Sequence, residues 1–213
     1  MKTNQEYKNL ALATLNGKWA HAVLCAVAYV VVAACYYIFV AFDSGSPSWL
    51  WAVSLLFLYG VVCPLQVGYY CSHRDLVAKG DADLVRNTFR ITFSSWGRNV
   101  LGMFLMMVFV VLWTLLLIIP GIVKAFAYAL TPYILVDRPE LSASQAINLS
   151  VEMMKGHKFD MFWLSVSFIG WIVLSILTLG IGLFWVMPYM TASMGAFYQD
   201  VKAEYEAKTT INN

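Results

Sequence analysis

From Met161 to Gln199 the chain carries no aspartate, glutamate, lysine, arginine or histidine. An apolar run needs only about 20 residues to cross a bilayer once, so this one has length left over. Gly180 and Gly182 lie near its middle as natural breaks, and the stretch reads as two helices joined by a tight turn, a transmembrane hairpin. The same plan recurs upstream. Gly97-Arg98 opens a run that breaks at Pro120-Gly121, and the interval from Gly97 to Gly121 equals that from Gly156 to Gly180.

Composition agrees with this pattern. With 61% hydrophobic and 12% charged residues and a mean hydropathy of +0.68, the chain is too apolar for an ordinary soluble domain. Barrel strands need alternating segments of about ten residues, whereas these runs are long and unbroken, so helices close the backbone hydrogen bonds better. The expectation is an all-α integral membrane protein, one membrane domain over 1–213. It has about six transmembrane helices paired as hairpins over about 19–72, 99–136 and 159–198. In the first hairpin, Asp43-Ser44-Gly45-Ser46-Pro47-Ser48 is a turn by composition, with Trp49 and Trp51 marking re-entry.

Each hairpin is expected to follow an amphipathic helix, at about 5–16, 83–96 and 142–155. The first places Tyr7, Leu10, Ala11, Thr14 and Leu15 on one face. In the second, Val85, Phe89, Phe93 and Trp96 recur at helical spacing while Arg86 and Arg90 point away, the pattern of a basic helix lying on a membrane. Packing on the protein's own surface would produce the same amphipathicity. In the third, Ser142 and Gln145 form a capping-box pattern ahead of Ala143, Ile147, Val151 and Met154. Arg86, Phe89, Arg90, Phe93, Trp96 and Arg98 are therefore the candidate contacts with anionic lipid or a protein partner.

Charge placement orients the chain. Of 14 lysines and arginines, all but Lys124 fall before the first span, between hairpins or in the tail. The positive-inside rule then puts both termini and all three amphipathic helices in the cytoplasm. Lys124 reads as a side chain snorkelling to the opposite interface. The net charge of +2 argues for no nucleic-acid partner.

Catalytic chemistry is not legible. His21 and Cys25 lie four apart on the first span, a spacing that suits a nucleophile and base or two metal ligands, yet no third partner stands near them in sequence. His73 and His157 flank spans on the charged side, where solvated or headgroup-facing roles are the default. Cys25, Cys35, Cys63 and Cys71 show no paired spacing and read as packing residues. No phosphate loop, HExxH or GxSxG pattern occurs. The expectation is a non-enzyme with no catalytic, cofactor or metal site. Small residues four apart, Ala125 with Ala129 and Ala192 with Ala196, suit close helix packing within the chain or along a homo-oligomer seam.

The run from Ile118 to Phe159, followed by Leu177 to Val201, resembles the bacterial membrane-protein family called domain of unknown function nine-seven-five. Members resemble in turn the membrane domain attached to some glycerophosphodiester phosphodiesterases. Where members often have a basic residue after the serine of the third amphipathic helix, this chain has Ser150-Val151-Glu152. The resemblance supports the topology and supplies no catalytic residue. The reading that follows is a multi-pass inner-membrane protein with an assembly, lipid-handling or envelope role, the alternative being a small transporter or export component.

Overall fold

The computed structural model describes residues 2–42 and 49–211; the turn expected at 43–48 lies outside the described residues. Among the described residues every regular element is helical. The elements are α1 (Asn4–Leu15), α2 (Trp19–Phe42), α3 (Trp49–Phe57), α4 (Cys63–Lys79), α5 (Leu84–Ser94), α6 (Trp96–Leu116), α7 (Ile118–Tyr128), α8 (Thr131–Asp137), α9 (Ala143–Met153), α10 (Lys158–Val166), α11 (Ile169–Leu177) and α12 (Leu183–Ile211). A π-helical turn, Leu58–Val62, joins α3 to α4. Among the described residues, five helical stretches are long and apolar enough to cross a membrane: Trp19–Ile38, Trp49–Lys79, Trp96–Leu116, Ile118–Asp137 and Lys158–Leu177.

Local chemistry explains the boundaries. Thr3 and Ser142 start α1 and α9 with reciprocal capping boxes to Glu6 and Gln145. Gly17 and Gly156, both at positive φ, turn the chain from α1 into α2 and from α9 into α10. Pro64 has no N–H to offer the Gly60 carbonyl one turn earlier, and the helix widens there into the π turn. The Trp96 indole fills the gap, its Nε1–H donating to the Gly60 oxygen at 2.7 Å.

Several boundaries differ from the sequence reading. The second span was expected to end near Ser72, but α4 runs on to Lys79 and stops at Gly80 in the left-handed conformation. It continues because Arg74 and Asp75 are paired within the protein. The break expected at Pro120-Gly121 falls instead at Leu117, an extended residue between α6 and α7; Pro120 sits in the first turn of α7, where its missing N–H costs nothing. Gly121 is a contact glycine, since a Cβ there would stand 2.7 Å from the Thr114 Cα. Gly182 plays the same part against Ser175, at 2.9 Å, while Gly180 at φ +85° makes the turn itself.

α12 lies at the centre, packed by α1, α2 and α4. Its Ala192, Ala196, Phe197 and Tyr198 are buried, which is why this helix can be less apolar than the five stretches around it. Tyr70, Tyr133 and Tyr198, from α4, α8 and α12, stack in sequence with ring centroids 6.2 and 4.8 Å apart.

Candidate functional site

The residues expected to contact lipid or a partner start from α5. This helix is pressed against α4 at Gly68, where a Cβ would overlap the Thr88 carbonyl oxygen and the Thr92 hydroxyl. Its protein-facing side is Leu84, Asn87, Thr88, Ile91 and Thr92. The Thr88 hydroxyl meets Ser72 Oγ at 2.8 Å and Cys25 Sγ at 3.3 Å, so the polar groups are satisfied where they are buried. Phe89, Phe93 and Trp96 remain exposed on the other side, beside exposed Arg86 and Arg90. The helix thus packs on the protein and still presents an aromatic flank bordered by arginines. Arg98 is differently employed: its guanidinium donates to the carbonyls of Leu135, Arg138 and Leu141, closing the C-terminal end of α8.

A second constellation joins the C-terminal ends of α4 and α8 to the middle of α12. Arg74 is ion-paired with Asp75 at 2.8 Å and with Asp137. Asp137 also accepts from Lys202 Nζ at 2.7 Å and from the Tyr198 hydroxyl at 2.8 Å. The Arg74 guanidinium lies 5.9 Å from the Tyr198 ring centroid, and the backbone of α4 comes so close to α12 that a Cβ on Gly195 would be 2.8 Å from the Arg74 Cα. Asp200, on the same stretch of α12, holds α1: Lys2 Nζ is 2.5 Å away and the Tyr7 hydroxyl 3.1 Å. Partial burial pulls the Asp200 carboxyl up, but the hydrogen bonds from Lys2 and Tyr7 outweigh it and hold the carboxyl below the usual range. Burial, then the Asp200 charge, pushes the Tyr7 phenol well up. Sequence reasoning placed these charges in solvated segments; the recurrence of Asp75, Asp137 and Asp200 near the ends of the returning helices was the available signal.

The histidines divide. His73, expected to be solvated, is fully buried, with Nδ1 2.9 Å from the Tyr69 carbonyl oxygen and no partner for Nε2. His157 bridges α10 and α12, its ring nitrogens 3.6 Å from Asp160 and 3.4 Å from Glu204. His21 is exposed, whereas Cys25 is buried against Thr88. Among the described residues, no three His, Cys, Asp or Glu side chains converge as metal ligands would. Lys124 lies over the Trp113 ring, 4.5 Å from its centroid.

A cavity of about 400 Å³ opens between α4, α6, α7, α8, α10 and α12. Methionines 103, 106, 107, 161 and 194 line it, with Gln66 and Tyr70 hydrogen-bonded to each other at 2.9 Å on its wall. Ala125 and Ala129 line this cavity, while Ala192 and Ala196 are buried in helix packing.

Long apolar helices, with the buried Arg74 charge paired to Asp75 and to Asp137, define a helical membrane protein. Within that class the chain belongs to the family described as protein of unknown function (DUF975), whose model matches residues 82–205. No curated protein and no solved structure matches the chain.

Proposed function

We propose a six-span inner-membrane protein with both termini in the cytoplasm, built as three units of an amphipathic helix and a transmembrane hairpin, that works without catalysis at the cytoplasmic leaflet. α12 supplies the sixth span, shielded from lipid by its neighbours. The charges at the ends of α4 and α8 and at Asp200 and Lys202 within α12 mark the cytoplasmic base, and α1, α5 and α9 form a collar there. One observation carries the reading: α5 satisfies its polar side against the protein and leaves Phe89 and Phe93 exposed beside Arg86 and Arg90, with the half-exposed Trp96 ring, tied to Gly60 by its indole N–H, next to them. That arrangement suits the headgroup level of an anionic leaflet, where aromatics settle and each basic residue is worth about 1 kcal/mol. A lipid-handling or envelope-assembly role is consistent with it.

The test compares hydrogen exchange over residues 84–96 in anionic and zwitterionic nanodiscs. The native chain is expected to be more protected in the anionic lipid, and Arg86→Glu with Arg90→Glu to abolish that difference while the protein stays in the membrane. Equal protection of the native chain in both lipids would remove lipid contact from the reading. Reporter fusions after Ser46 should read external, and those after Lys79, Glu140 and Lys208 cytoplasmic. Retained cellular function in His21→Ala and Cys25→Ser supports the absence of catalysis.

The alternative, a small transporter, draws on the 400 Å³ cavity with Gln66 on its wall. Substrate-dependent flux through reconstituted vesicles would favour it.

A further inference from the structure

The two later hairpins end in residues that no aqueous loop would choose. Leu115, Leu116, Leu117, Ile118 and Ile119 crown the second, and Leu177, Leu179 and Ile181 the third; all are exposed, Leu179 to 95%. By contrast the first hairpin turns, in sequence, through Asp43, Ser44, Gly45, Ser46, Pro47 and Ser48.

Backbone chemistry at the third tip points the same way. Every amide from Thr178 to Val186 donates within the hairpin, that of Gly182 to the Thr178 hydroxyl at 2.9 Å. The same hydroxyl donates to the Ser175 carbonyl at 2.8 Å. To close the turn, Leu179 adopts φ 54°, a conformation a leucine avoids. A loop in water has no need to bind all its own amides, whereas hydrocarbon leaves no alternative. At the second tip, Pro120 removes one first-turn donor, and the Leu117 and Gly121 amides bond within the chain.

Length supplies an independent argument. Asp200, held by Lys2 and Tyr7, and Arg98, held by the α8 carbonyls, mark the polar base. From Asp200 to Leu183 along α12 is about 26 Å, and from Arg98 to Leu116 along α6 about 27 Å, at 1.5 Å per residue. Tilt shortens both, and a hydrocarbon core is about 30 Å thick. α2, with 24 residues, reaches about 36 Å and has length to spare.

We infer that the tips of the second and third hairpins stop within the hydrocarbon of the far leaflet, so that only the first hairpin reaches the external water. Lys124, set back from the second tip, lies over the Trp113 ring, which shields its charge. The inference rests on the topology proposed above and goes beyond it.

The experiment places single cysteines at Leu117, Leu179 and Ser46 in the full chain with its four native cysteines changed to alanine. In nanodiscs these are exposed to a membrane-impermeant thiol reagent. In the same samples a membrane-permeant environment-sensitive thiol probe is quenched by nitroxides placed on the lipid headgroup or on the acyl chain. Ser46→Cys is expected to react, and Leu117→Cys and Leu179→Cys to react at least tenfold more slowly and to be quenched chiefly by the acyl-chain nitroxide. Reaction at Leu179→Cys as fast as at Ser46→Cys, or quenching there chiefly from the headgroup, would overturn this inference and leave the six-span reading standing. No reaction at Ser46→Cys would overturn the topology and this inference with it.

Discussion

Arg74 and Asp137, 63 positions apart, form an ion pair in which both side chains are largely withdrawn from solvent. Lys202 and Tyr198 reach the same carboxylate from α12, so one aspartate joins three helices that are distant in sequence.

Breaking this junction strands buried charge. Asp137→Ala is expected to cost about 3–5 kcal/mol of stability, the range for removing one member of a buried pair. Glu140→Ala, which removes only an exposed contact 3.9 Å from Arg138, should stay within about 0.5 kcal/mol. Thermal unfolding in detergent compares the two.

Pro64 and Trp96 should be energetically coupled. Trp96→Phe leaves the Gly60 carbonyl without a donor and is expected to cost about 1–3 kcal/mol. Pro64→Ala restores an amide one turn away that can take over this carbonyl, so the cost of Trp96→Phe should shrink in that background. A double-mutant cycle measures the coupling, and additive costs would mean that the restored amide does not take over the Gly60 carbonyl.

Glycines on different surfaces should respond differently to a methyl group. Gly68→Ala drives a Cβ into the Thr88 carbonyl and should separate α5 from α4, raising hydrogen exchange over both. Gly97→Ala meets nothing within 4 Å and should be neutral or slightly stabilising, because alanine favours the helix.

The docking of α1 should depend on acid. The folded Asp200 carboxyl is held below its ordinary value, so its contribution is complete above a pH of about 4 and is lost as the pH falls through the depressed value. Hydrogen exchange of residues 4–15 is expected to rise in that acidic window, and Asp200→Asn should reduce the pH dependence, the remainder coming from Glu6, whose carboxyl the Thr3 hydrogen bonds also hold low.

Much of this protein was legible from periodicity alone. Apolar runs of fixed length announce helices in a bilayer, and Ser142 with Gln145 announces a helix start, because these are short-range properties of the chain. The arginine and aromatic flank beside α5 was equally visible, in Arg86, Phe89, Arg90, Phe93 and Trp96, but the use of Arg98 to close α8 was not. Which side of α5 meets the protein was not. That depended on Gly68 admitting the Thr88 backbone, a fit between surfaces that no single stretch contains. Likewise, Arg74, Asp75 and His73 read as solvated residues until α8 and α12 closed over them, because a charge is buried only when its partner arrives from another helix. The positions of the breaks shifted for the same reason: Gly121 and Gly182 read as turn residues, but each serves to let one helix touch the next, and only the packed chain distinguishes these two uses of a missing side chain.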